Sequence, residues 1–201
     1  MATIASELMT AEEFAAWADR PENAGRHCEL VRGRIVDMPP PQKPHGTLCS
    51  WIAYLLWVLA IERGRGRVES NDSGLVVEED PDTVRGVDVM FFDEVVPFEE
   101  IPQEYNREEP VLAVEVWSPS DRPNAMMHRV SQYLAKGVGI VWTVDPIDRT
   151  VSVHRAGKAP LLLAIDDELT GFEFLPELKI RVSELFTLPG TKRKATEQSA
   201  G

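Results

Sequence analysis

The chain has 201 residues and a formal net charge of −12, with 33 acidic residues against 21 basic ones. This length suffices for one domain with a sizeable core, and the acidic balance argues against nonspecific nucleic-acid affinity, although it does not exclude a local basic groove. No apolar run approaches the roughly 20 residues that cross a bilayer, and the N-terminus lacks the features of a secretory signal, so we expect a cytoplasmic protein without a membrane partner.

A helix and a hairpin are predicted at the start of the chain. The segment from Met9 to Asp19 has a capping-box pattern, with Thr10 as the N-cap and Glu13 three residues later. Two short strands, Cys28 to Val31 and Arg34 to Met38, are joined by an Arg-Gly turn that is typical of a hairpin.

A proline-rich segment precedes the longest predicted helix. Prolines between residues 39 and 44 exclude regular structure until His45. From His45 to Glu62 the apolar residues recur at helical spacing, and Gly64 ends the helix. We expect three tryptophans to lie in the core: Trp51, Trp57 and Trp142.

The remaining pattern is mainly one of strands. One more helix is predicted between Trp117 and Ile140, opened by Pro123 and closed by Gly137. The acidic stretch from Pro97 to Glu109 is predicted to be a solvated loop. The predicted strands are Arg67 to Glu69, Leu75 to Glu78, Val87 to Phe92, Val111 to Trp117, Ile140 to Asp145 and Thr150 to Arg155.

The pattern indicates one domain with tails. We expect a flexible N-terminus over residues 1–8, a domain over residues 9–187, and a disordered tail over residues 188–201 that contains Lys192-Arg-Lys. The two cysteines, Cys28 and Cys49, have neither the number nor the spacing of a disulfide framework or a zinc site. We therefore expect reduced, buried thiols.

Two isolated carboxylates are the most informative residues. Asp88 begins one apolar run, Gly-Val-Asp-Val-Met-Phe-Phe, and Glu115 lies inside the next, Val-Leu-Ala-Val-Glu-Val-Trp. Adjacent strands that carry one carboxylate each can hold Mg²⁺ or Mn²⁺, because these ions prefer oxygen ligands on rigid elements. Shared ligation requires both side chains to point to one face of the sheet. The first hypothesis is metal-assisted phosphodiester hydrolysis.

Two further residues are candidates for the same site. Glu29 could bind the metal or a water molecule, or it could pair with Arg32 or Arg34 on the hairpin. His45 could donate a hydrogen bond to phosphate from the start of its helix, where anions are favoured, or it could cap the helix.

Six segments occur in an order that points to a family. They are Glu-Leu-Val-Arg-Gly-Arg-Ile-Val from Glu29, His45 at a helix start, Gly-Val-Asp-Val around Asp88, Val-Glu-Val-Trp-Ser-Pro-Ser around Glu115, Tyr-Leu-Ala-Lys-Gly-Val from Tyr133, and Val-Trp-Thr-Val-Asp-Pro around Trp142. In this order they resemble the Uma-type restriction-endonuclease-like proteins of the PD-(D/E)XK nuclease superfamily, formerly catalogued as a domain of unknown function. The resemblance runs from about Met9 to Phe186.

The resemblance implies an α/β fold, a restriction-endonuclease-like mixed-sheet core flanked by helices, with the N-terminal helix and hairpin as an extension. It also implies that Asp88 and Glu115 bind the metal and that Val116 lends its backbone carbonyl. In the usual nuclease of this superfamily a catalytic lysine lies two residues after the glutamate. Trp117 occupies that position here.

In the Uma-type pattern the lysine lies instead on the following helix. The matching position holds Arg129, four residues before Tyr133 and therefore on the same helical face. An arginine can hold phosphate or stabilise charge, but it cannot act as a base. An aspartate common in the family is replaced by Ala125. Lys136, two turns beyond Arg129, could offer an ammonium group or snorkel at the helix end.

Two functions of different classes follow. The chain is a divalent-metal-dependent endonuclease acting on nucleic acid, with DNA favoured and a homodimer as one expected assembly, or it is a catalytically degenerate nuclease-fold protein that acts as a binding module. The sequence feature that distinguishes the two hypotheses is position 129. There the arginine either takes over the role of the lysine or marks lost chemistry. A metal-dependent hydrolase of another substrate is a third alternative, because two carboxylates do not identify a phosphoester.

Overall fold

A mixed sheet with helices on both faces organises the chain. The computed structural model describes residues 8–119 and 121–191. The helices and strands are α1 (Ala11–Ala18), β1 (Cys28–Val31), β2 (Arg34–Asp37), α2 (Lys43–Arg63), β3 (Arg67–Glu78), β4 (Thr83–Phe92), β5 (Leu112–Val116), α3 (Pro123–Lys136), β6 (Ile140–Asp145), β7 (Thr150–His154), β8 (Leu161–Leu163), β9 (Glu168–Gly171), β10 (Leu175–Arg181) and α4 (Val182–Leu185).

Eight of these strands form the main sheet. Seven follow the order β2-β1-β4-β5-β6-β7-β8, and β3 pairs with β4. The β5–β6 pair is parallel, whereas the other described pairs of this sheet are antiparallel. Strands β9 and β10 form a separate antiparallel ribbon.

Strand β4 has three neighbours, and their arrangement leaves a gap. β3 pairs along one edge of β4. β1 pairs with β4 at Leu30 and Val84, and β5 pairs with it through Val89, Met90 and Phe91. Because β3 occupies one edge throughout, β1 and β5 share the other edge and separate between positions 84 and 89. On this edge, the β4 residues between positions 84 and 89 have no paired strand of the described chain beside them.

A bulge in β3 stands opposite this gap. The register of the β3–β4 ladder shifts so that two residues, Asn71 and Asp72, oppose the single residue Asp88. Both have left-handed backbone angles, with φ values of 66° and 58°. Gly86 leaves the space that the bulge needs, because a Cβ at this position would lie 3.0 Å from the Cβ of Asp72.

Helices α2 and α3 cover opposite faces of the sheet. Ile52 and Leu56 of α2 pack with Val114 and Trp142, among others, in the largest core cluster. Val130 and Tyr133 of α3 pack in a second cluster. Both helices begin with a proline in the first turn and end at a left-handed glycine, and of these features the proline of α3 and both glycines were predicted.

The face alternation of β4 is interrupted at Asp88. Residues two apart on a regular strand share a face. Val87 nevertheless packs in the α3-side cluster, whereas Val89 packs in the α2-side cluster. The direction of the Asp88 side chain therefore cannot be inferred by counting along the strand.

The local signals in the N-terminal half predicted its elements well. The capping box of α1 is present, with Thr10 Oγ1 accepting from the Glu13 amide at 3.2 Å and Glu13 Oε2 accepting from the Thr10 amide at 2.9 Å. The start of α2 was predicted two residues late, because Pro44 lies in the first turn, where a proline costs no hydrogen bond.

Several other expectations need correction. The two strands predicted between Arg67 and Glu78 are one bulged strand, and β8, β9, β10 and α4 were not predicted. Trp142 is fully buried, but Trp57 is 43% exposed and is not a core residue. The Lys192-Arg-Lys segment lies outside the described residues.

Helix α2 is strongly apolar. Within the described part of the chain it is the one helix whose length and composition would suit a membrane span. Core helices of soluble proteins have the same properties. Six residues of α2 are buried: Leu48, Ile52, Ala53, Leu56, Leu59 and Ala60.

Candidate active site

Asp88 lies at the gap between β1 and β5 and is only 6% exposed. Its Oδ2 accepts a hydrogen bond from the backbone amide of Val116 at 2.7 Å. The same oxygen lies 3.2 Å from Nε2 of His45, at the start of α2. The other oxygen, Oδ1, accepts no hydrogen bond from the described residues. Asp88 therefore joins β4, β5 and α2 and keeps one acceptor oxygen available.

Glu115 is the neighbour of Asp88 across the ladder. The pairs of β4 and β5 end at Val89 with Val114, and one further step places Glu115 opposite Asp88. Glu115 is also 6% exposed. Its Oε1 accepts a hydrogen bond from the Tyr133 hydroxyl of α3.

The two carboxylates have partners on different helices. Asp88 contacts His45 of α2, whereas Glu115 contacts Tyr133 of α3. The helices of these partners cover opposite faces of the sheet, whereas the ladder places the two carboxylates opposite each other, so shared ligation of one ion by Asp88 and Glu115 stays a prediction. Val116, the residue that follows Glu115, links the two strands here, because its amide donates to Asp88.

Burial is the main influence on the pKa of Glu115. Burial, together with repulsion from Asp88, raises the pKa of Glu115 to about 8, although Arg129 and the Tyr133 hydroxyl favour the ionised form. Burial therefore disfavours the ionised form of this carboxyl group in the metal-free protein. A bound cation would favour release of its proton.

Arg129 reaches this region from α3, as the sequence predicted. Its Nη1 lies 2.7 Å from Oε1 of Glu29 and 3.8 Å from Oε1 of Glu115, and its side chain is 15% exposed. Although burial opposes its charge, Glu115 and Glu29 raise the pKa of Arg129, which stays protonated.

Glu29 has partners that the sequence analysis did not foresee. Of the two alternatives for Glu29, pairing with Arg32 or Arg34 is wrong, and binding of a metal or a water molecule stays a prediction. Oε2 of Glu29 accepts from Arg85 Nη1 at 2.8 Å, and Oε1 accepts from the Gly86 amide at 3.1 Å. We call these buried groups the α3-side network: Glu29, Arg85, Glu115, Arg129 and Tyr133.

A pocket opens on the other side of Asp88. We call it the α2-side pocket, and its polar walls include His45 and Cys49 of α2 and Asp72 of the β3 bulge. His45 Nδ1 lies 3.5 Å from Cys49 Sγ. Asp72 is held by His27, with 3.2 Å between Oδ2 and Nε2.

The charges of this pocket are coupled. The hydrogen bond to Asp88 raises the pKa of His45, and burial and repulsion from Asp88 raise the pKa of Asp72. Burial and the nearby carboxylates also raise the pKa of the Cys49 thiol. His45 thus serves as a partner of Asp88, and the phosphate contact expected for it stays a prediction.

The other candidates lie at different distances from the site. Val116 takes part through its amide, and metal ligation by its carbonyl stays a prediction. Lys136 ends α3, half-buried, and no described contact joins it to Asp88 or Glu115.

Sequence reasoning missed the roles of Arg85, Asp72 and Cys49 and the hydrogen bond of Tyr133. One local signal was present, because His45 and Cys49 have the i, i+4 spacing of neighbours on a helix.

Comparison with known proteins agrees with this fold. The model of the Uma2 family, "Putative restriction endonuclease", matches residues 11–183. The crystal structure of a "putative nuclease belonging to DUF820" from Anabaena variabilis superposes with a TM-score of 0.73 and 21% sequence identity, covering 89% of this chain and 97% of that one. A search of curated proteins gave no match. The predicted restriction-endonuclease-like α/β fold is confirmed.

Proposed function

Because the chain belongs to the Uma2 family, we propose that it is a divalent-metal-dependent endonuclease that hydrolyses phosphodiester bonds of nucleic acid, with DNA as the favoured substrate. The observation that carries the proposed metal dependence is the placement of two buried carboxylates, Asp88 and Glu115, at opposing positions of the β4–β5 ladder. The family supports a nuclease, and the metal and the substrate are the proposed part.

The residues fit a hard divalent cation by charge and by donor type. Asp88 offers a carboxylate oxygen, Oδ1, that accepts no hydrogen bond among the described residues. Glu115 has a pKa raised to about 8 by burial and by Asp88, so its proton occupies a place that a cation would take. Oxygen ligands of this kind suit Mg²⁺ or Mn²⁺. Asp88 and Glu115 would hold the ion, with the Val116 carbonyl as an additional ligand.

The chain's own residues would divide the remaining work. When bound, a divalent cation supplies positive charge that polarises the phosphodiester and acidifies water. Arg129, always protonated and still partly exposed, would stabilise negative charge that develops on the phosphate. Glu29 and Arg85 would keep that guanidinium in place. Arg129 cannot accept a proton from water, so no arginine base is part of this proposal.

A cleavage assay with the full chain tests the proposal. Supercoiled plasmid and single-stranded DNA would be incubated with the protein and Mg²⁺ or Mn²⁺, then with a chelator. We expect cleavage with either ion, none with the chelator, and a loss of at least about a hundredfold in Asp88→Asn and Glu115→Gln, a size typical of removing a group that acts on the transition state.

The matched control is Asp148→Asn, which changes an exposed aspartate in the turn between β6 and β7 and should cleave like the wild type. Metal binding is followed separately by thermal unfolding, because an ion that binds the folded state raises the melting temperature. Wild-type protein that binds Mn²⁺ in an Asp88-dependent way but cleaves no nucleic acid would overturn the endonuclease proposal.

A specific observation favours the second function, a catalytically degenerate nuclease-fold protein acting as a binding module. Within the described residues, Glu29 and Glu115 are already neutralised in part by Arg129, and no lysine contacts either of them. On this alternative, DNA would bind without being cut. A fluorescent oligonucleotide that binds equally well with metal and with chelator, and stays intact, would establish it over the nuclease.

A further inference from the structure

Three donor groups of different chemistry meet in the α2-side pocket. His45 and Cys49 lie one helical turn apart on α2, and Asp88 reaches them from β4. One ligand atom from each residue lies within 4.8 Å of the others. Imidazole, thiolate and carboxylate are all common zinc ligands. A hard ion such as Mg²⁺ prefers oxygen ligands alone.

We propose that His45, Cys49 and Asp88 form a site for a thiophilic transition-metal ion of the Zn²⁺ type, which shares Asp88 with the proposed Asp88–Glu115 site and takes its other donors from α2. This inference rests on the proposed function only for its consequence, that the two ions compete for Asp88. The site itself depends on the pocket alone.

The three donors lie close enough to bind one ion after a rotation of the imidazole. Tetrahedral zinc, with bonds of roughly 2.0 to 2.3 Å, holds neighbouring ligand atoms about 3.3 to 3.6 Å apart. His45 Nε2 lies 3.2 Å from Asp88 Oδ2, and His45 Nδ1 lies 3.5 Å from Cys49 Sγ. Each ring nitrogen is thus already next to one of the other two donors. Rotation of the imidazole would direct one nitrogen to an ion between Cys49 and Asp88.

The surrounding charges support a divalent ion. Asp72 lines the same pocket from the β3 bulge and adds a carboxylate beside the three ligands. The bulge directs Asp72 toward the pocket, and Gly86 gives it room. On binding, the Cys49 S–H bond breaks, the sulfur forms a bond to the ion and the proton goes to solvent. His45 binds through one unprotonated ring nitrogen, so an imidazolium releases one proton to solvent and a neutral ring keeps its proton on the other nitrogen, and the hydrogen bond from His45 to Asp88 is exchanged for one bond from each residue to the ion.

Sharing of Asp88 gives the site a consequence for the proposed nuclease. An ion on His45, Cys49 and Asp88 occupies the carboxylate that the Asp88–Glu115 site needs. Zn²⁺ should therefore displace Mn²⁺ and inhibit cleavage, with Cys49 as the residue that confers the sensitivity. Cys49→Ser would keep Mn²⁺ binding and lose most of the inhibition.

Cobalt substitution tests the site directly. Co²⁺ would be titrated into the full, reduced chain, and the near-ultraviolet absorption of a thiolate-to-cobalt charge transfer recorded, followed by displacement with Zn²⁺. We expect the band in the wild type. Cys49→Ser should lose it and bind Zn²⁺ at least tenfold more weakly. The matched control, Cys28→Ser, removes a thiol beside Asp37 that lies outside the pocket and should keep the band.

The outcomes separate this inference from the nuclease proposal. A band that persists in Cys49→Ser, or disappears in Cys28→Ser, would overturn the site, as would wild-type protein with no band at Co²⁺ concentrations that saturate known thiolate sites. Glu115→Gln should keep the cobalt band and lose Mn²⁺ binding. Cleavage with Mn²⁺ but no cobalt band would leave the nuclease standing alone, and a band without cleavage would leave only the transition-metal site.

Discussion

The carboxylates on the two sides of Asp88 have different kinds of partner. In the α3-side network every carboxylate has a partner: Arg129 bridges Glu29 and Glu115, and Tyr133 donates to Glu115. In the α2-side pocket the carboxylates of Asp72 and Asp88 meet histidines that are charged only when protonated. The guanidinium groups of the α3-side network keep their charge at every physiological pH. The charge balance of the α2-side pocket changes with pH and with any bound ligand.

This difference predicts that the two sides contribute to different properties, one to stability and the other to ligand binding. A buried network with a permanent cation loses much free energy when one member is removed, because its partners are left as unpaired buried charges. A half-open pocket with titratable partners loses little, since water replaces the missing group. Mutations should therefore affect folding on the α3 side and ligand binding on the α2 side.

The sharpest way to break this comparison is to remove Arg129. Arg129→Ala removes the cation that Glu29 and Glu115 share, although Arg85 still pairs with Glu29, and we expect the free energy of unfolding to fall by about 3 kcal/mol, the lower end for breaking a buried ion pair. Urea denaturation measures the loss. Lys136→Ala, on the same helix but without a described contact to the site, should change stability by less than about 0.5 kcal/mol. Equal losses in the two variants would contradict the network.

The pH dependence of the metal-free protein tests the charge on Glu115. Its pKa is about 8 in the folded state against 4.5 as the ordinary value, so the folded state holds a proton that the unfolded state has released between these values. Its contribution to stability is present below pH 4.5 and is lost as the pH rises through 8. Between these pH values the free energy of unfolding should fall by up to about 1.4 kcal/mol per pH unit. Glu115→Gln should lack this slope, and a difference of zero at every pH would refute the shift.

A smaller effect is expected on removing the hydrogen bond to Glu115. Tyr133→Phe deletes the donor while keeping the ring in the core, and we expect a loss of about 2 kcal/mol in the free energy of unfolding. The pKa of Glu115 should rise further, so the pH-dependent loss of stability should move to higher pH. Thermal unfolding from pH 5 to pH 9 records both. A variant as stable as the wild type would show that the hydroxyl does not stabilise this carboxyl group.

The smallest effect belongs to the α2-side pocket. His45→Ala should cost less than about 1 kcal/mol, because solvent can replace the imidazole beside Asp88. Asp88 raises the pKa of His45, so the stabilisation is present below the ordinary pKa of 6.5 and is lost as the pH rises through the folded value. The cost should be larger at pH 5.5 than at pH 9. His128→Ala, on the exposed face of α3, serves as the control.

The sequence predicted those elements whose signals are local. The capping box of α1, the hairpin turn and the helical spacing of α2 each lie within a few residues, and all three elements form. Strands β8 and β9 have only three and four residues, and β10 pairs with β9 outside the main sheet with a shift in register, so these strands lack a clear apolar alternation. The β3 bulge was missed because a register is set by the partner strand.

The site shows the same limit. Asp88 and Glu115 were visible because each carboxylate interrupts an apolar run, and Arg129 was found through a family pattern. The bonds of Glu29 to Arg85 and of Glu115 to Tyr133 join residues that are distant in sequence. No spacing rule predicts such contacts. The direction of Asp88 also depended on the interrupted alternation of β4, which only the assembled sheet reveals.

The parallel pairing of β5 with β6 has a consequence for how the protein folds. A parallel pair cannot close until the chain has crossed over, and here the crossover is α3. That helix carries Arg129 and Tyr133, the groups that make burial of Glu115 tolerable. Docking of the helix and closure of the sheet are thus energetically one event. In native-state hydrogen exchange, the amides of α3 and β5 should open together as a single cooperative unit.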